Sequence, residues 1–314
     1  MVNKTIKIIL AALWLFLAVF LTVILVNGIN GNINFPLKFS KTSINFNNDS
    51  IIDGMSVDAE TEIVNISEKF SKIDVELISE KLIVEVWNND YTEVTIVSSF
   101  PKEKRPKVLM EDNTLKIKTP NRNNVKIFNT NDSVTIKLPY KIAKNLSIVD
   151  VDIVSGSINI SEITTTRTSL STVSGSINFS NSLVNELNTS SVSGSHKILD
   201  CNLQEVNSES ISGSIQIDSD IAKTFDCSSV SGAIKVETNT MPSLGGDCEA
   251  TSGSVKIYLP ENEGFVLNYD SISGSTTNNF TGSKMKKSGE SSYRNGNIEF
   301  DVETVSGSIS IERI

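Results

Sequence analysis

The sequence predicts an all-β chain: a parallel β-solenoid of about eight rungs, capped by an N-terminal β-strand region and preceded by one transmembrane helix. A hydrophobe-Ser-Gly motif recurs eight times in the C-terminal half, and apolar and polar residues alternate within each copy. Alternation of this kind is typical of strands with one buried face, and strand-rich units at a fixed period stack into a solenoid. A long apolar run near the N-terminus predicts the helix.

The composition is that of a folded protein. Of 314 residues, 39% are hydrophobic and 21% are charged, which is ordinary for a globular chain. The net charge of −9 disfavours binding to the phosphates of nucleic acid. We therefore expect no nucleic-acid partner.

The uncharged run of residues 8–26 is long enough to cross a bilayer, which takes about 20 residues in a helix. Lys4 and Lys7 precede it and the next charged residue is Lys38, so the positive-inside rule places the N-terminus in the cytoplasm. We assign residues 1–27 to a cytoplasmic stub and signal-anchor that binds the lipid bilayer. The remainder is expected outside the cytoplasmic membrane, on the cell surface or in the periplasm. A cleaved secretory signal is the alternative, although its apolar region usually spans about 7–15 residues.

The next two segments lack the repeat. Residues 28–60 are rich in Asn and predict a spacer. Residues 61–145 contain alternating segments such as KLIVEVW and VTIKLP, separated by turn signals. We expect these segments to form antiparallel or irregular strands that cap the first rung, because an open end would expose core and unpaired strand edges.

The repeat occupies residues 146–314. Successive motif glycines are 19, 19, 19, 19, 21, 21 and 33 residues apart, a period that an antiparallel sandwich, the alternative fold, does not explain. The longest spacing contains a polar, Gly-rich stretch at about 276–297, which predicts a loop inserted into one rung. We expect each glycine to form a corner by adopting a positive φ. These repeat-turn glycines are Gly156, Gly175, Gly194, Gly213, Gly232, Gly253, Gly274 and Gly307.

The chain resembles the putative-adhesin family of bacterial β-strand repeat proteins, also called Toastrack or DUF4097. The resemblance covers roughly residues 60–314 and rests on the SGS repeats, on the ending NGNIEFDVETVSGSISI, and on two Leu-Pro strand ends, Leu138-Pro139 and Leu259-Pro260. It implies a single-stranded, right-handed β-helix on the outer side of the cytoplasmic membrane. It brings no catalytic residues.

Reactive side chains are few. The single histidine, His196, occupies a column otherwise filled by Ile, Val or Thr, so we expect a neutral core residue with one hydrogen bond. Cys227 and Cys248 each precede their glycine by five residues and are expected to stack on adjacent rungs, as buried free thiols or as a strained disulfide. Cys201 is expected to be unpaired.

A column four residues before the glycine contains several carboxylates, interrupted by serines. No basic column runs beside it, so a solvated outer face explains it better than a polysaccharide-cleaving site, which is a remote alternative. We expect no enzymatic activity, no metal and no cofactor. The carboxylates are Asp152, Glu209, Glu249, Asp270 and Glu303.

Two basic clusters in predicted loops are candidates for contact with a partner such as anionic lipid or an envelope polymer. They comprise Lys102, Lys104, Arg105 and Lys107, and then Lys284, Lys286, Lys287 and Arg294. The leading hypothesis is a non-enzymatic, membrane-anchored adhesin or binding module that recognises an envelope polymer or a protein. The alternative is a scaffold or sensor of envelope stress that acts beside partner membrane proteins.

Overall fold

The structure, a computed structural model, describes residues 32–33, 44–45, 59–122, 131–285 and 287–314. The chain divides into two compact units. The first unit comprises Met1–Val57, Phe100–Lys104 and Pro120–Phe128. The second unit comprises Asp58–Ser99, Arg105–Thr119 and Asn129–Ile314. The first unit contains the antiparallel strands β1 (Asn32–Ile33) and β2 (Ile44–Asn45), and a 3₁₀ turn at Lys102–Lys104. The apolar run at 8–26 lies outside the described residues, among which no helix is long and apolar enough to span a membrane.

The described part of the second unit is built from strands and one short helix. Its N-terminal strands are β3 (Glu60–Ile66), β4 (Lys72–Leu77), β5 (Lys81–Trp87), β6 (Thr92–Ser98), β7 (Lys107–Glu111), β8 (Thr114–Lys118) and β9 (Ser133–Pro139). Helix α1 (Tyr140–Ala143) follows. The repeat contains β10 (Leu146–Ile153), β11 (Ile158–Ser161), β12 (Thr164–Ser174), β13 (Ile177–Ser180), β14 (Leu183–Ser193), β15 (His196–Ser212), β16 (Ile215–Ser231), β17 (Ile234–Glu237), β18 (Gly245–Ser252), β19 (Val255–Leu259), β20 (Gly264–Ser273), β21 (Thr276–Asn278), β22 (Ser283–Met285), β23 (Ser288–Arg294), β24 (Glu299–Ser306) and β25 (Ile309–Arg313).

The strands of the repeat that pair in parallel form two rows. The prediction of an all-β, solenoid-like repeat is confirmed. Row A consists of strand segments that precede the motif glycines: β10, β12, β14, the second halves of β15 and β16, and β18, all paired in parallel. Row B consists of segments that follow the glycines: β11, β13, the first halves of β15 and β16, β17 and β19. Residues of successive rungs lie opposite each other 19 positions apart, for example Ile158 and Ile177. The right-handed winding stays a prediction.

The motif glycines are required by close packing, and the expected positive φ is wrong. Their φ values lie outside the left-handed region, but a Cβ on Gly194 would lie 1.8 Å from the carbonyl oxygen of Gly175 on the neighbouring rung. The rungs therefore approach each other too closely at this corner for any side chain. Positive φ occurs six residues later instead, at Glu162 (63°), Asn181 (51°) and Asp200 (53°).

A buried hydroxyl column supports the glycine corner. The residue three positions before the glycine is Ser or Thr in most rungs, and its side chain donates to a glycine carbonyl. Ser210 Oγ lies 3.3 Å from Gly194 O, and Ser229 Oγ lies 3.2 Å from Gly213 O. Each of these bonds joins one rung to the preceding one, so the column satisfies carbonyls that strand pairing leaves without a partner.

The chain doubles back at the C-terminal end of the second unit. Strand β24 pairs in parallel with both β18 and β20, and β25 pairs with both β19 and β21. The eighth copy of the motif therefore lies between the sixth and the seventh. The predicted loop at about 276–297 is wrong, because β22 and β23 in it pair antiparallel with β21 and β20. The polar sequence of β23 reflects an edge position with mostly exposed side chains.

The N-terminal strands show the same reversal of order, because β8 and β9 follow β4 and β5 in the sequence but lie farther from the repeat. Strands β4 and β5 pair in parallel with β10 and β11 of the first repeat, and β8 and β9 pair in parallel with the far edges of β4 and β5. The parallel stack thus extends two rungs before the repeat. Antiparallel strands β7, β6 and β3 complete this end.

Candidate functional site

Row A, together with β4 at one end and β24 and β20 at the other, presents two adjacent columns of outward side chains, and carboxylates dominate them at both ends. We call these carboxylates the acidic ladder. Neighbouring rungs place Asp150 beside Asp74 and Asp152 beside Glu76. Lys116 and Lys118 of β8 follow in the same two columns and terminate the ladder at that end. The ladder comprises Asp74, Glu76, Asp150, Asp152, Glu209, Asp226, Asp247, Glu249, Asp301, Glu303 and Asp270.

Burial, together with neighbouring like charges, raises the pKa of several carboxyls in the ladder. Burial, followed by the charges of Asp150 and Glu76, raises the pKa of Asp152 from 3.8 to about 7. Burial, followed by Glu249, raises the pKa of Glu303. The Asp152 carboxyl is therefore only partly ionised at neutral pH, and its charge changes most between mildly acidic and neutral conditions.

We expect Asp152→Asn to stabilise the protein at pH 8 by about 1–2 kcal/mol, after allowing for solvent screening. The folded-state pKa of Asp152 is raised from 3.8 to about 7, so between those values the native state binds more protons than the unfolded state. The free energy of unfolding consequently falls as pH rises through that window. Urea unfolding at pH 5 and pH 8 checks this, and the gain should be clearly smaller at pH 5, which lies inside the window, than at pH 8, which lies above it.

The control for this prediction is Glu209→Gln. Glu209 belongs to the same column but lies between Ser190 and Ser228 of the neighbouring rungs. It should give little change at either pH. An equal gain from both variants would contradict the role of the carboxylates adjacent to Asp152.

A groove of 380 Å³ crosses four successive rungs on the second unit, at the position ten residues after the motif glycine. Its lining is polar, and two ion pairs, Arg167–Glu186 at 2.9 Å and Lys223–Glu205 at 3.1 Å, border it. A second hollow of 160 Å³ shares Asn185 and Gln204 with it. The groove is lined by Thr166, Asn185, Glu186, Gln204, Glu205 and Lys223.

A β-bulge shapes this groove. Leu203 pairs with Ile221 and Glu205 with Thr224, so a single residue of β15, Gln204, lies opposite two residues of β16. Bulges of this kind redirect side chains and are common beside functional sites. In the adjoining hollow, Oδ1 of Asp220 is buried and has no hydrogen-bond partner among the described atoms. The amides of Asn185 and Gln204 likewise keep their hydrogen-bonding capacity within the described part of the chain.

His196 is a fully buried core residue, but its hydrogen bonding exceeds the expected single bond. Its Nδ1 lies 2.8 Å from Ser208 Oγ and 3.1 Å from Thr189 Oγ1, and its Nε2 lies 2.8 Å from Ser191 Oγ. Burial lowers the pKa of His196 from 6.5 to about 4, so the ring is neutral. We call these four residues the histidine cluster. Sequence reasoning missed its hydroxyls, although Thr189 and Ser208 replace aliphatic residues in the buried column five positions before the glycine.

The cysteines are all free and buried. Cys227 and Cys248 lie opposite each other on neighbouring parallel strands, which confirms the predicted stacking. Burial raises the pKa of the Cys248 thiol, and burial raises that of Cys201 to about 11. The thiols of Cys201 and Cys248 are therefore protonated and unreactive at neutral pH.

The first predicted basic cluster is divided between the two compact units. Lys102 and Lys104 belong to the first unit, whereas Arg105 and Lys107 belong to the second. Arg105 is buried and binds Glu60 at 2.7 Å, and Lys107 begins strand β7 rather than lying in a loop.

In the second basic cluster, Arg294 binds Glu261 at 2.9 Å and Lys287 donates to the carbonyl of Ile272. The side chains of Lys284 and Lys286 lie outside the described residues. Across residues 59–122, 131–285 and 287–314, no group of three or more His, Cys, Asp and Glu side chains is arranged to hold a metal ion.

Comparison with known proteins agrees with this architecture. The sequence model described as Toastrack DUF4097 matches residues 70–312. No curated protein matches the sequence. The crystal structure of a putative adhesin from Bacteroides fragilis NCTC 9343 is 17% identical, with a TM-score of 0.51, covering 81% of this chain and 97% of that one. That likeness shows the fold. A putative lipid binding protein from Parabacteroides distasonis ATCC 8503 is 18% identical, with a TM-score of 0.43, covering 82% of this chain and 98% of that one.

Proposed function

The chain belongs to the Toastrack DUF4097 family, and on this premise we propose that it is a membrane-anchored binding module of the bacterial cell envelope. In this proposal residues 8–26 hold it in the cytoplasmic membrane, and the solenoid outside binds an envelope polymer without catalysing a reaction. The Bacteroides fragilis protein with the same fold is named a putative adhesin, which agrees with a binding role.

One observation carries the proposal: the groove repeats the same lining position on four successive rungs. Thr166, Asn185, Gln204 and Lys223 each lie ten residues after a motif glycine, and parallel strands lie about 4.8 Å apart. A periodic row of hydrogen-bonding groups suits an extended ligand that is itself periodic.

The direction of the groove favours a hydroxyl-rich polymer over a peptide. An extended peptide usually binds by pairing with a free strand edge, whereas this groove runs across strands that are already paired on both sides. The amides of Asn185 and Gln204 can donate and accept hydrogen bonds, as polysaccharide hydroxyls and acetamido groups require.

Binding to isolated envelope polysaccharide tests the ligand class. Replacing both Asn185 and Gln204 by Ala should weaken binding of the full chain by about tenfold or more, since each lost hydrogen bond contributes about 0.5–1.5 kcal/mol. The matched control replaces Asn207 and Gln216 by Ala, whose amides lie outside the groove. Equal binding by both double variants would reject the groove as the site.

Protease accessibility on intact cells tests the location. Gly282 lies in an exposed turn, and an added Cβ there would meet no atom within 4 Å, so a protease site and an epitope can be inserted after it with little structural cost. Cleavage on intact cells supports a surface adhesin. Cleavage only after the envelope is opened would replace it by an internal scaffold or stress sensor.

A further inference from the structure

Strand β7 is an edge strand with an exposed apolar centre. Among the described strands it pairs only with β8, and Leu109 at its midpoint is 60% exposed. Val108 and Met110 are half-buried and pack against the core beside it. Exposed apolar edges are a liability that proteins usually cover or charge, because their free backbone groups recruit another strand.

The hairpin determines which backbone groups of β7 are free. Asp112 and Asn113 form a two-residue turn with φ of 49° and 60°, which is the geometry of a type I′ hairpin. Its closing pair, Glu111 and Thr114, is hydrogen-bonded, and hydrogen-bonded pairs alternate along the strands. The N–H and C=O groups of Val108 and Met110 therefore point away from β8, toward the open edge.

The sequence of β7 is complementary to itself in the antiparallel direction. When two copies pair about Leu109, Lys107 of each lies opposite Glu111 of the other, Val108 lies opposite Met110, and Leu109 lies opposite its own copy. This register also uses the free groups of Val108 and Met110 for hydrogen bonds. We propose that the β7 edges of two copies pair in this register and form a twofold-symmetric dimer.

The other apolar edge strand at this end lacks that complementarity. Strand β3 pairs only with β6 among the described strands, and Ile63 at its centre is 57% exposed. Antiparallel self-pairing about Ile63 would place Glu60 opposite Ile66 and Glu62 opposite Val64. Charge pairing therefore distinguishes β7 from β3, and β3 supplies the control.

Disulfide trapping of the full chain tests the register. In the proposed dimer Leu109 forms a non-hydrogen-bonded pair with its copy, with Cα atoms about 4.5 Å apart, which is within disulfide range. Leu109→Cys should therefore give a covalent dimer on mild oxidation, while Ile63→Cys and the wild type stay monomeric. The three native cysteines are at most 2% exposed and do not compete. Absence of the Leu109→Cys dimer, or equal trapping by Ile63→Cys, would overturn the proposal.

A charge exchange gives a second, independent readout. Lys107→Glu and Glu111→Lys should each weaken dimerisation, measured by sedimentation of the full chain in detergent, by about tenfold or more. The double exchange should restore it, because each new Glu again faces a new Lys. Both side chains are exposed, so the fold should survive, as circular dichroism can verify. A double variant as weak as the single ones would contradict the register.

Discussion

Gly194→Ala is expected to lower the free energy of unfolding by more than about 4 kcal/mol, in the range seen for severe steric conflicts. The added Cβ would lie 1.8 Å from Gly175 O, and that carbonyl is fixed by parallel pairing on both sides. Neither strand can retreat without breaking its ladder. Urea unfolding of the full chain measures the loss, and the purified variant should already be partly unfolded at 37 °C.

The control separates this clash from backbone strain. Gly282 has a φ of +69° but nothing within 4 Å of an added Cβ. Gly282→Ala should therefore cost only the left-handed penalty of about 1–2 kcal/mol. If Gly282→Ala proved as damaging as Gly194→Ala, the close approach of the rungs would not be the reason for the glycine column.

His196→Ala is expected to cost about 3–5 kcal/mol, because it opens a cavity and removes the ring that partners three buried hydroxyls. His196→Ile should cost less, because Ile fills the column as it does at Ile177 and Ile215, although the hydroxyls of Thr189 and Ser208 lose a partner. Urea unfolding at pH 7.5 measures both losses.

Adding Thr189→Leu and Ser208→Val to His196→Ile should recover most of the loss, since the first repeat rungs have this all-apolar arrangement at Val151, Leu170 and Ile158. The pH response gives a separate signature. The folded-state pKa of His196 is lowered from 6.5 to about 4, so the wild type loses stability as pH falls through that window. The triple variant should lack this loss. A triple variant no more stable than His196→Ile would show that the hydroxyls are not coupled to the ring.

The repeat could be predicted from the sequence because it depends on two local properties. These are the spacing of the motif glycines and the alternation of apolar and polar residues. A constant offset of five residues before the glycine predicted that Cys227 and Cys248 would lie opposite each other, and they do. The columns two and four residues after the glycine, including Ile158 and Ile160, are buried. The family resemblance is confirmed by the match over residues 70–312.

Other features depend on contacts between rungs, which the sequence of a single repeat does not encode. At the corner Val154 is only half-buried, whereas the buried residues there are Ser and Thr that bind glycine carbonyls. Gly246 interrupts an apolar column because a Cβ there would lie 2.5 Å from the ring of Phe225. The groove arises from a bulge at Gln204, which the preserved spacing of the glycines conceals.

The reversal at the C-terminal end has a consequence for biosynthesis. As the chain emerges from the N-terminus onward, strands β20 and β21 are made before β24 and β25, the neighbours on which they must rest. The seventh rung therefore lacks its parallel neighbours until β24 and β25 have been synthesised, and its final pairing cannot proceed rung by rung in order of synthesis. For the same reason, a premature stop after residue 296 would remove an interior rung rather than the outermost one. The missing strand β24 would leave a gap between β18 and β20. Strands β24 and β25 thus complete the stack, and products truncated before them should be poor substitutes for the whole.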